Sequence, residues 1–338
     1  MVLVTGSTGL LGSHVVVNLL ANGYAVRAMY RSESRKTRVL NLMKMLHPNE
    51  ADSLLENLSW VKGNVCDIVD VDDALNQIDT VVHCAALVSF SPSDFRKMFQ
   101  INRKGTENMV NFASKHQVKH FIHVSSTAAV GSDSVLNDGI QRESNKWNHN
   151  DEVSGYSLSK YAAEREVWRA HEEGLPMSII NPSIMFGPGS WNESSLAIFR
   201  TFKNGLNYYT KGSNAFVNVS DVARFVHELI KKGPTGERYL ITGTNSSFKS
   251  LFDEISTQMN VKSPSVLASK LMTNLAWRLS AFLSFFTGKR PTITRESARS
   301  AHKTTVYSNE KLLSDFPHFV FTPLETTIHQ TIVGRLDD

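Results

Sequence analysis

Six short apolar runs, each followed by a longer stretch of different pattern, constrain this chain more than any other feature. Residues 2–5, 25–30, 58–62, 80–84, 120–125 and 177–181 are rich in Val, Ile and Phe. Most of them lack apolar/polar alternation, which suits parallel strands covered on both faces. Between them lie stretches of helical character such as 11–21 and 94–115. Strand and helix in alternation imply an α/β fold, a Rossmann-type doubly wound parallel sheet.

The pattern changes after Pro182, where Gly187-Pro188-Gly189 signals a turn and Pro264, Pro291, Pro317 and Pro323 punctuate the remaining third of the chain. Residues 216–230 and 238–242 read as a helix and a strand that join the main sheet. The expected division is a dinucleotide-binding domain of residues 1–182 plus 216–242, and a smaller, discontinuous mixed α/β substrate-binding domain of residues 183–215 plus 243–338.

The 338 residues are 41% hydrophobic and 20% charged, which argues against wholesale disorder. A net charge of +4 gives no case for nucleic-acid binding, which needs clustered basic residues and a groove-reading motif. Two cysteines, Cys66 and Cys84, make neither a disulfide framework nor a metal site. No His spacing suggests a metal either. The start at Val2-Leu3-Val4-Thr5 has no signal-peptide pattern, so a cytoplasmic protein is expected. No run is long enough for a membrane span. The nearest, within 267–286, carries Leu271, Leu275, Leu279, Phe282 and Phe286 at helical spacing. It is expected as a helix packed on the core, with a lid or a membrane-surface contact as the alternative.

Gly6, Gly9 and Gly12 follow the first strand and open the first helix. Such a loop turns tightly, lets backbone approach a pyrophosphate, and presents helix-start N–H groups to it. At the end of the second strand, where an acid would select NAD, stands Arg31, among Arg27, Arg35, Lys36 and Arg38. Arg there accommodates a 2′-phosphate, so NADP(H) is favoured over NAD(H).

Tyr156 and Lys160 are four residues apart, on one face of a helix. A free phenol has a pKa of about 10, and a neighbouring ammonium is expected to lower it toward acid/base use. Ser125 and Ser126 end the fifth strand, at the edge where open α/β sheets bind ligands. Asn102 falls on the apolar stripe of Phe95, Met98, Met109 and Ala113. A buried amide needs partners, through backbone hydrogen bonds or as a link in a proton relay to Lys160. His83, at a strand end, reads as structural.

These elements occur in one order: the Gly6/Gly9/Gly12 loop, Val82-His83-Cys84-Ala85-Ala86, Asn102-x-x-Gly105-Thr106, Ser125-Ser126, Tyr156-x-x-x-Lys160 and Asn181-Pro182-Ser183 through Pro188. In that order they resemble the extended short-chain dehydrogenase/reductase superfamily, the NAD-dependent epimerase/dehydratase family. The stretch 216–221 and Arg31–Arg38 look most like its dihydroflavonol 4-reductase-like branch. The resemblance covers residues 1–221 strongly and the rest weakly.

The resemblance implies a catalytic set of Ser126, Tyr156 and Lys160, with Asn102 as fourth member. It implies a cofactor site of Gly6, Ser7, Thr8, Gly9, Leu10, Leu11, Gly12, Arg31, Arg38, Asn64, Val65, Cys84, Ala85, Ala86, Ser125, Tyr156, Lys160, Pro182 and Ser183. Asn64 stands where the family commonly has Asp, and Asn181 where an Arg often precedes the Pro. Thr127-Ala128-Ala129 after Ser126 lacks the acidic pair of the dehydratases. The expected activity is NADP(H)-dependent interconversion of a carbonyl and an alcohol on a small molecule. A sugar epimerase, and a non-catalytic dinucleotide-binding sensor or scaffold, are the alternatives. A homodimer is the family habit. Substrate selectivity is expected from residues 89–94, 132–150 and the second domain.

Overall fold

The computed structural model describes residues 1–131, 138–147, 153–192, 194–287 and 293–336. Residues 132–137 and 148–150 of the stretch expected to tune selectivity therefore lie outside the described residues.

In chain order the strands are β1 (Val2–Thr5), β2 (Val26–Tyr30), β3 (Leu58–Lys62), β4 (Thr80–His83), β5 (His120–Val124), β6 (Ile140–Gln141), β7 (Met177–Pro182), β8 (Ile184–Phe186), β9 (Tyr208–Tyr209), β10 (Ser213–Asn218), β11 (Glu237–Ile241), β12 (Thr244–Ser247), β13 (Val266–Leu267) and β14 (Val306–Tyr307). Seven of them form one parallel sheet in the order β11-β7-β5-β4-β1-β2-β3. The six apolar runs all become strands of this sheet. The order reverses between β1 and β4, and a crevice at the carboxyl ends there is where such sheets take ligands.

Continuous apolar strands bury both faces. Val2, Val4, Val82 and Ile122 pack with the Leu10–Ala21 and Val219–Lys232 helices in one core. Leu3, Val81 and Phe121 pack in a second core with residues of the Gly105–Lys115 and Gly155–Glu172 helices. A third core is aromatic, built by Phe186, Trp191, Phe199, Phe202 and Phe216. It lies against the three-stranded sheet β12-β10-β8, in which β10 runs parallel to β8 and antiparallel to β12.

The structure differs from the sequence reading at three places. Residues 216–218 end β10 in the small sheet, and the helix begins at Val219, capped by the Asn218 side chain. The expected helix 94–115 is present from Phe95 to Lys115, but its α-helical phase is interrupted. Helical residues Phe95–Phe99 pass through a π-turn, Gln100–Lys104, into the helix Gly105–Lys115. The extra residue of a π-turn shifts the side-chain phase. Asn102, in that turn, is 1% exposed, whereas Phe95 of the supposed buried stripe is 38% exposed. Finally, the Lys270–Thr287 helix turns Leu271, Leu275, Leu279 and Phe282 to solvent, each at least 59% exposed. It is therefore not the core helix expected, because its packed side is the one bearing Thr273 and Ser280.

Candidate active site

The loop between β1 and the first helix is closed by its glycines. Gly6 has φ +63°, and a Cβ on Gly12 would lie 2.1 Å from the Gly6 carbonyl oxygen. Neither position accepts a side chain. At Gly9 the nearest atom to such a Cβ is the Gly6 oxygen at 3.4 Å, so this face of the loop is open. Ser7 Oγ donates to the Met29 carbonyl at 2.8 Å and ties the loop to β2. Ser7 and Thr8 are buried, as are Leu11 and Gly12, while Leu10 is half-buried.

The basic cluster in and after β2 separates into two kinds of residue. Arg27 donates to the carbonyls of Ala74 and Asn76, and Lys36 pairs with Glu33 over the Tyr30 ring. Both are structural. Arg31 is exposed just past the strand end, and Arg38 is half-buried on the next helix. Asn64 is exposed, and its Oδ1 accepts from Cys66 N–H at 3.2 Å. Val65, beside it, is buried against Gly105.

Ser126 caps a short 3-10 turn, its Oγ accepting from Ala128 N–H at 3.2 Å. The hydroxyl proton of Ser126 is thereby left to donate. Tyr156 lies in the first turn of the Gly155–Glu172 helix, near enough to the Ser126 side chain for that group to lower the pKa of its phenol. Phe90 stands edge-on to the Tyr156 ring, with centroids 6.1 Å apart. Lys160, one turn on, is 2% exposed, and its Nζ donates to the Val124 carbonyl at 2.7 Å.

The electrostatics correct one expectation. Burial pushes the Tyr156 phenol above its ordinary pKa, and only the Ser126 contact opposes this. Lys160 is itself pulled down to about 8 by burial, with Glu164 acting in the other direction. The four-residue spacing does bring the pair to one site. The ammonium, however, is spent on the Val124 carbonyl, and desolvation outweighs any help it gives the phenol.

Asn102 does not reach Lys160. Its Oδ1 accepts from Leu87 N–H at 2.7 Å; its Nδ2 donates to the Leu87 carbonyl at 3.0 Å and to Ser159 Oγ at 2.9 Å. The amide thus clamps the segment after Ala85 and Ala86 to the Tyr156 helix. A second chain joins β1 to the π-turn. Ala85 N–H donates to Thr5 Oγ1, which is 2.8 Å from His83 Nδ1. His83 Nε2 lies 3.1 Å from Thr106 Oγ1, which donates to the Asn102 carbonyl at 2.6 Å. Every group is satisfied if His83 is neutral and protonated at Nε2. Burial holds its pKa at about 3, in keeping with the structural role expected for it.

Three further residues support the site: Asn181, noted in the sequence only as a departure from the family pattern, and Glu164 and Arg238, which sequence reasoning missed. Asn181 Nδ2 donates to the Ser126 carbonyl at 2.8 Å and to Glu164 at 2.6 Å. Glu164 is in turn paired with Arg238 at 3.2 Å. The available signal was that Glu164 follows Lys160 by four residues, on the same helix face.

A nicotinamide dinucleotide fits this arrangement. Ser125 Oγ and Ser183 Oγ are buried at the strand ends and find no partner among the described residues. Such orphans mark a place for a polar ligand. Cys84, whose thiol burial raises to about 12, ends the strand run beside them, and Pro182 directly precedes Ser183.

Residues 2–242 match the model of the NAD dependent epimerase/dehydratase family. The chain belongs to this family. A protein of Methylococcus capsulatus, sterol demethylase protein B, is 31% identical over 71% of this chain and 69% of its own. A protein of Synechocystis sp., provisionally named dihydroflavonol 4-reductase, is 26% identical over 92% of this chain and 88% of its own. Among solved structures, gox2253 superposes with a TM-score of 0.80 at 26% identity, over 99% of this chain and 97% of its own. UDP-glucuronic acid 4-epimerase of Bacillus cereus, in complex with UDP-glucuronic acid and NAD, shares the fold at a TM-score of 0.75 and 17% identity, over 98% of each chain. The family thus spans reductases and epimerases on one scaffold, and its members' chemistry must be argued from the site.

Proposed function

We propose that this protein is an oxidoreductase that interconverts a carbonyl and an alcohol on an apolar small molecule, with NADP(H) as its redox partner. The observation that carries the reading is that the buried Lys160 donates to the Val124 carbonyl at 2.7 Å, which sets the helix bearing Tyr156 against the strand end that leads into Ser126. Residues 1–182 with 216–242 would hold the dinucleotide and the remainder the substrate.

The dinucleotide, when bound, supplies or accepts the hydride. The Gly6–Gly12 loop holds its pyrophosphate, Arg31 a 2′-phosphate, Asn64 and Val65 the adenine, and Ala85, Ala86, Ser125, Pro182 and Ser183 the nicotinamide end. In reduction, Tyr156 O–H donates its proton to the carbonyl oxygen. Ser126 Oγ–H, already relieved of its acceptor duty by Ala128 N–H, hydrogen-bonds the same oxygen as charge develops. A phenol with a raised pKa is fully protonated at neutral pH, which suits a proton donor. Lys160 supplies positive charge at the site, its ammonium held against the Val124 carbonyl.

Exposed Val88 and Phe90, the latter against Tyr156, favour an apolar acceptor. The sterol and dihydroflavonol in the names of the relatives agree with such a substrate. The test is purified protein with NADPH or NADH and a panel of apolar ketones and aldehydes, read by loss of nicotinamide absorbance. Turnover with NADPH is expected. Conversion of a UDP-sugar with retained NAD and no net absorbance change would overturn the reading in favour of epimerisation.

A further inference from the structure

The Lys270–Thr287 helix carries its apolar side chains outward. Leu271, Leu275, Leu279, Phe282 and Leu283 are between 52% and 70% exposed, and Met272 is 41% exposed. They form two adjoining rows, 271/275/282 and 272/279/283, along one side of the helix. The opposite side packs on the protein through polar groups. Thr273 Oγ1 meets His302 Nε2 at 2.9 Å, and Ser280 Oγ accepts from Ile293 N–H at 3.1 Å. The usual amphipathic order is thus inverted. Val266 and Leu267 of β13 and Tyr208 of β9, paired with it, extend the exposed apolar surface at the start of the helix.

Charge says what this face fits. Residues 255–295 contain six Lys and Arg and no Asp or Glu, whereas the remaining chain holds thirty basic against thirty-two acidic residues. Lys270 begins the helix and Arg278 lies mid-way, its guanidinium 4.8 Å from the Trp277 ring. Long basic side chains snorkel past apolar neighbours to reach headgroups. Among the described residues no helix is long and apolar enough to cross a membrane. An apolar stripe on a helix of 18 residues, flanked by positive charge only, has the make-up of a helix that lies in the plane of a bilayer surface.

We propose that the Lys270–Thr287 helix docks this protein on an anionic lipid surface, its apolar rows entering the acyl boundary and its basic residues meeting lipid phosphates. The helix is coupled to the site described above. Its neighbour, the helix Arg295–Ser300, carries Glu296, whose carboxyl group lies near Ser154 and Gly155, directly before Tyr156. A docked protein therefore holds the Tyr156 helix close to the bilayer, which would suit the apolar substrate of the proposed function; lipid binding itself does not depend on that reading.

The experiment is vesicle flotation of the full chain at low salt. One set of vesicles is phosphatidylcholine alone, the other contains about 30% phosphatidylglycerol. The wild type is compared with Leu275→Glu/Leu279→Glu, two exposed positions that leave the core intact. Dinucleotide affinity and circular dichroism check that the variant is folded. The wild type is expected to float with anionic vesicles at least about tenfold more than with neutral ones, and the variant to stay in the soluble fraction. The proposal is overturned if the wild type stays soluble with anionic vesicles, or if the folded variant floats equally well. It is also overturned if the wild type forms a dimer that the variant lacks while neither floats, since the face would then bind a second copy. Carbonyl reduction is not part of the readout, so its failure and the failure of this proposal are told apart.

Discussion

Glu164 and Asn181 meet at 2.6 Å, and the same Asn181 amide group donates to the Ser126 carbonyl at 2.8 Å. The backbone of Ser126 is thus fixed by a buried carboxylate on the helix that carries Tyr156 and Lys160. Glu164 also raises the pKa of Lys160 against the pull of burial. Glu164→Gln keeps an acceptor for Asn181 but removes the charge. The Lys160 ammonium should then lose its proton at a lower pH than its present value of about 8. Lys160 is charged below its pKa, so reduction should fail as pH rises through it. In the pH profile of kcat/KM the alkaline limb should move to lower pH in the variant. A Glu164 with a structural role alone would lower stability, by about 2 kcal/mol for a charge-assisted bond, and leave the limb in place.

Tyr156→Phe should lower kcat/KM by about 100- to 10,000-fold, the range for loss of a positioned acid, with dinucleotide affinity little changed. Titration of cofactor fluorescence alongside turnover separates the two quantities. Full function in the variant, with cofactor still bound, would identify a sensor or scaffold instead of an enzyme.

The parallel sheet was readable because β1, β4 and β5 bury every residue, and such strands cannot alternate. Tyr156, Lys160, Ser126 and the glycine loop were readable because local spacing sets them on one strand end or helix face. Asn102 was visible as a polar residue on an apolar stripe, but not its partners. The π-turn that aims it at Leu87 and Ser159 has no local sequence signature. Arg238 and Glu164 are 74 residues apart, so their pairing exists only once β11 has joined the sheet. The Lys270–Thr287 helix shows the same limit from the other direction. Its periodicity is that of an amphipathic helix whether the apolar side faces core or solvent, and tertiary packing alone decides.

Arg31→Ala should raise the KM for NADPH by about 10- to 100-fold, the equivalent of a lost charge-assisted contact of about 1.5–3 kcal/mol, and leave NADH unaffected. Arg27→Ala is the control. Its guanidinium is occupied by the Ala74 and Asn76 carbonyls, so that change should lower the melting temperature without altering the choice of dinucleotide. Equal effects of Arg31→Ala on the two cofactors would remove Arg31 from the 2′-phosphate site.

Asn102→Ala should lower stability by about 3 kcal/mol, because Leu87 N–H, Leu87 C=O and Ser159 Oγ all lose the same partner. The segment from Leu87 to Phe90 would be freed with it, and with that segment the ring packed on Tyr156. Denaturant unfolding reads the first effect. The second should appear as a rise in substrate KM larger than the fall in kcat. A selective loss of kcat with KM unchanged would favour the proton-relay role, for which no contact with Lys160 is present.

The buried histidines make the fold sensitive to acid. Burial holds His14 and His120 at about 4 and His83 at about 3, and His123 well below its ordinary value. Unfolded, each binds a proton near pH 6.5. Below that pH the unfolded chain takes up protons that the folded one refuses, so stability is full above about 6.5 and falls as pH drops toward 4. His123 is the telling case. It stacks on His83 with centroids 5.5 Å apart, and neither of its ring nitrogens finds a partner among the described residues. A buried polar group without a partner costs about 1–3 kcal/mol, so His123→Phe removes a penalty while filling the same space. Its melting temperature should exceed that of the wild type at pH 7, and the gap should widen at pH 5 as the wild type loses stability to protonation of the unfolded state. Thermal unfolding across that interval checks both, and parallel curves for the two proteins would show that His123 contributes nothing to the acid sensitivity.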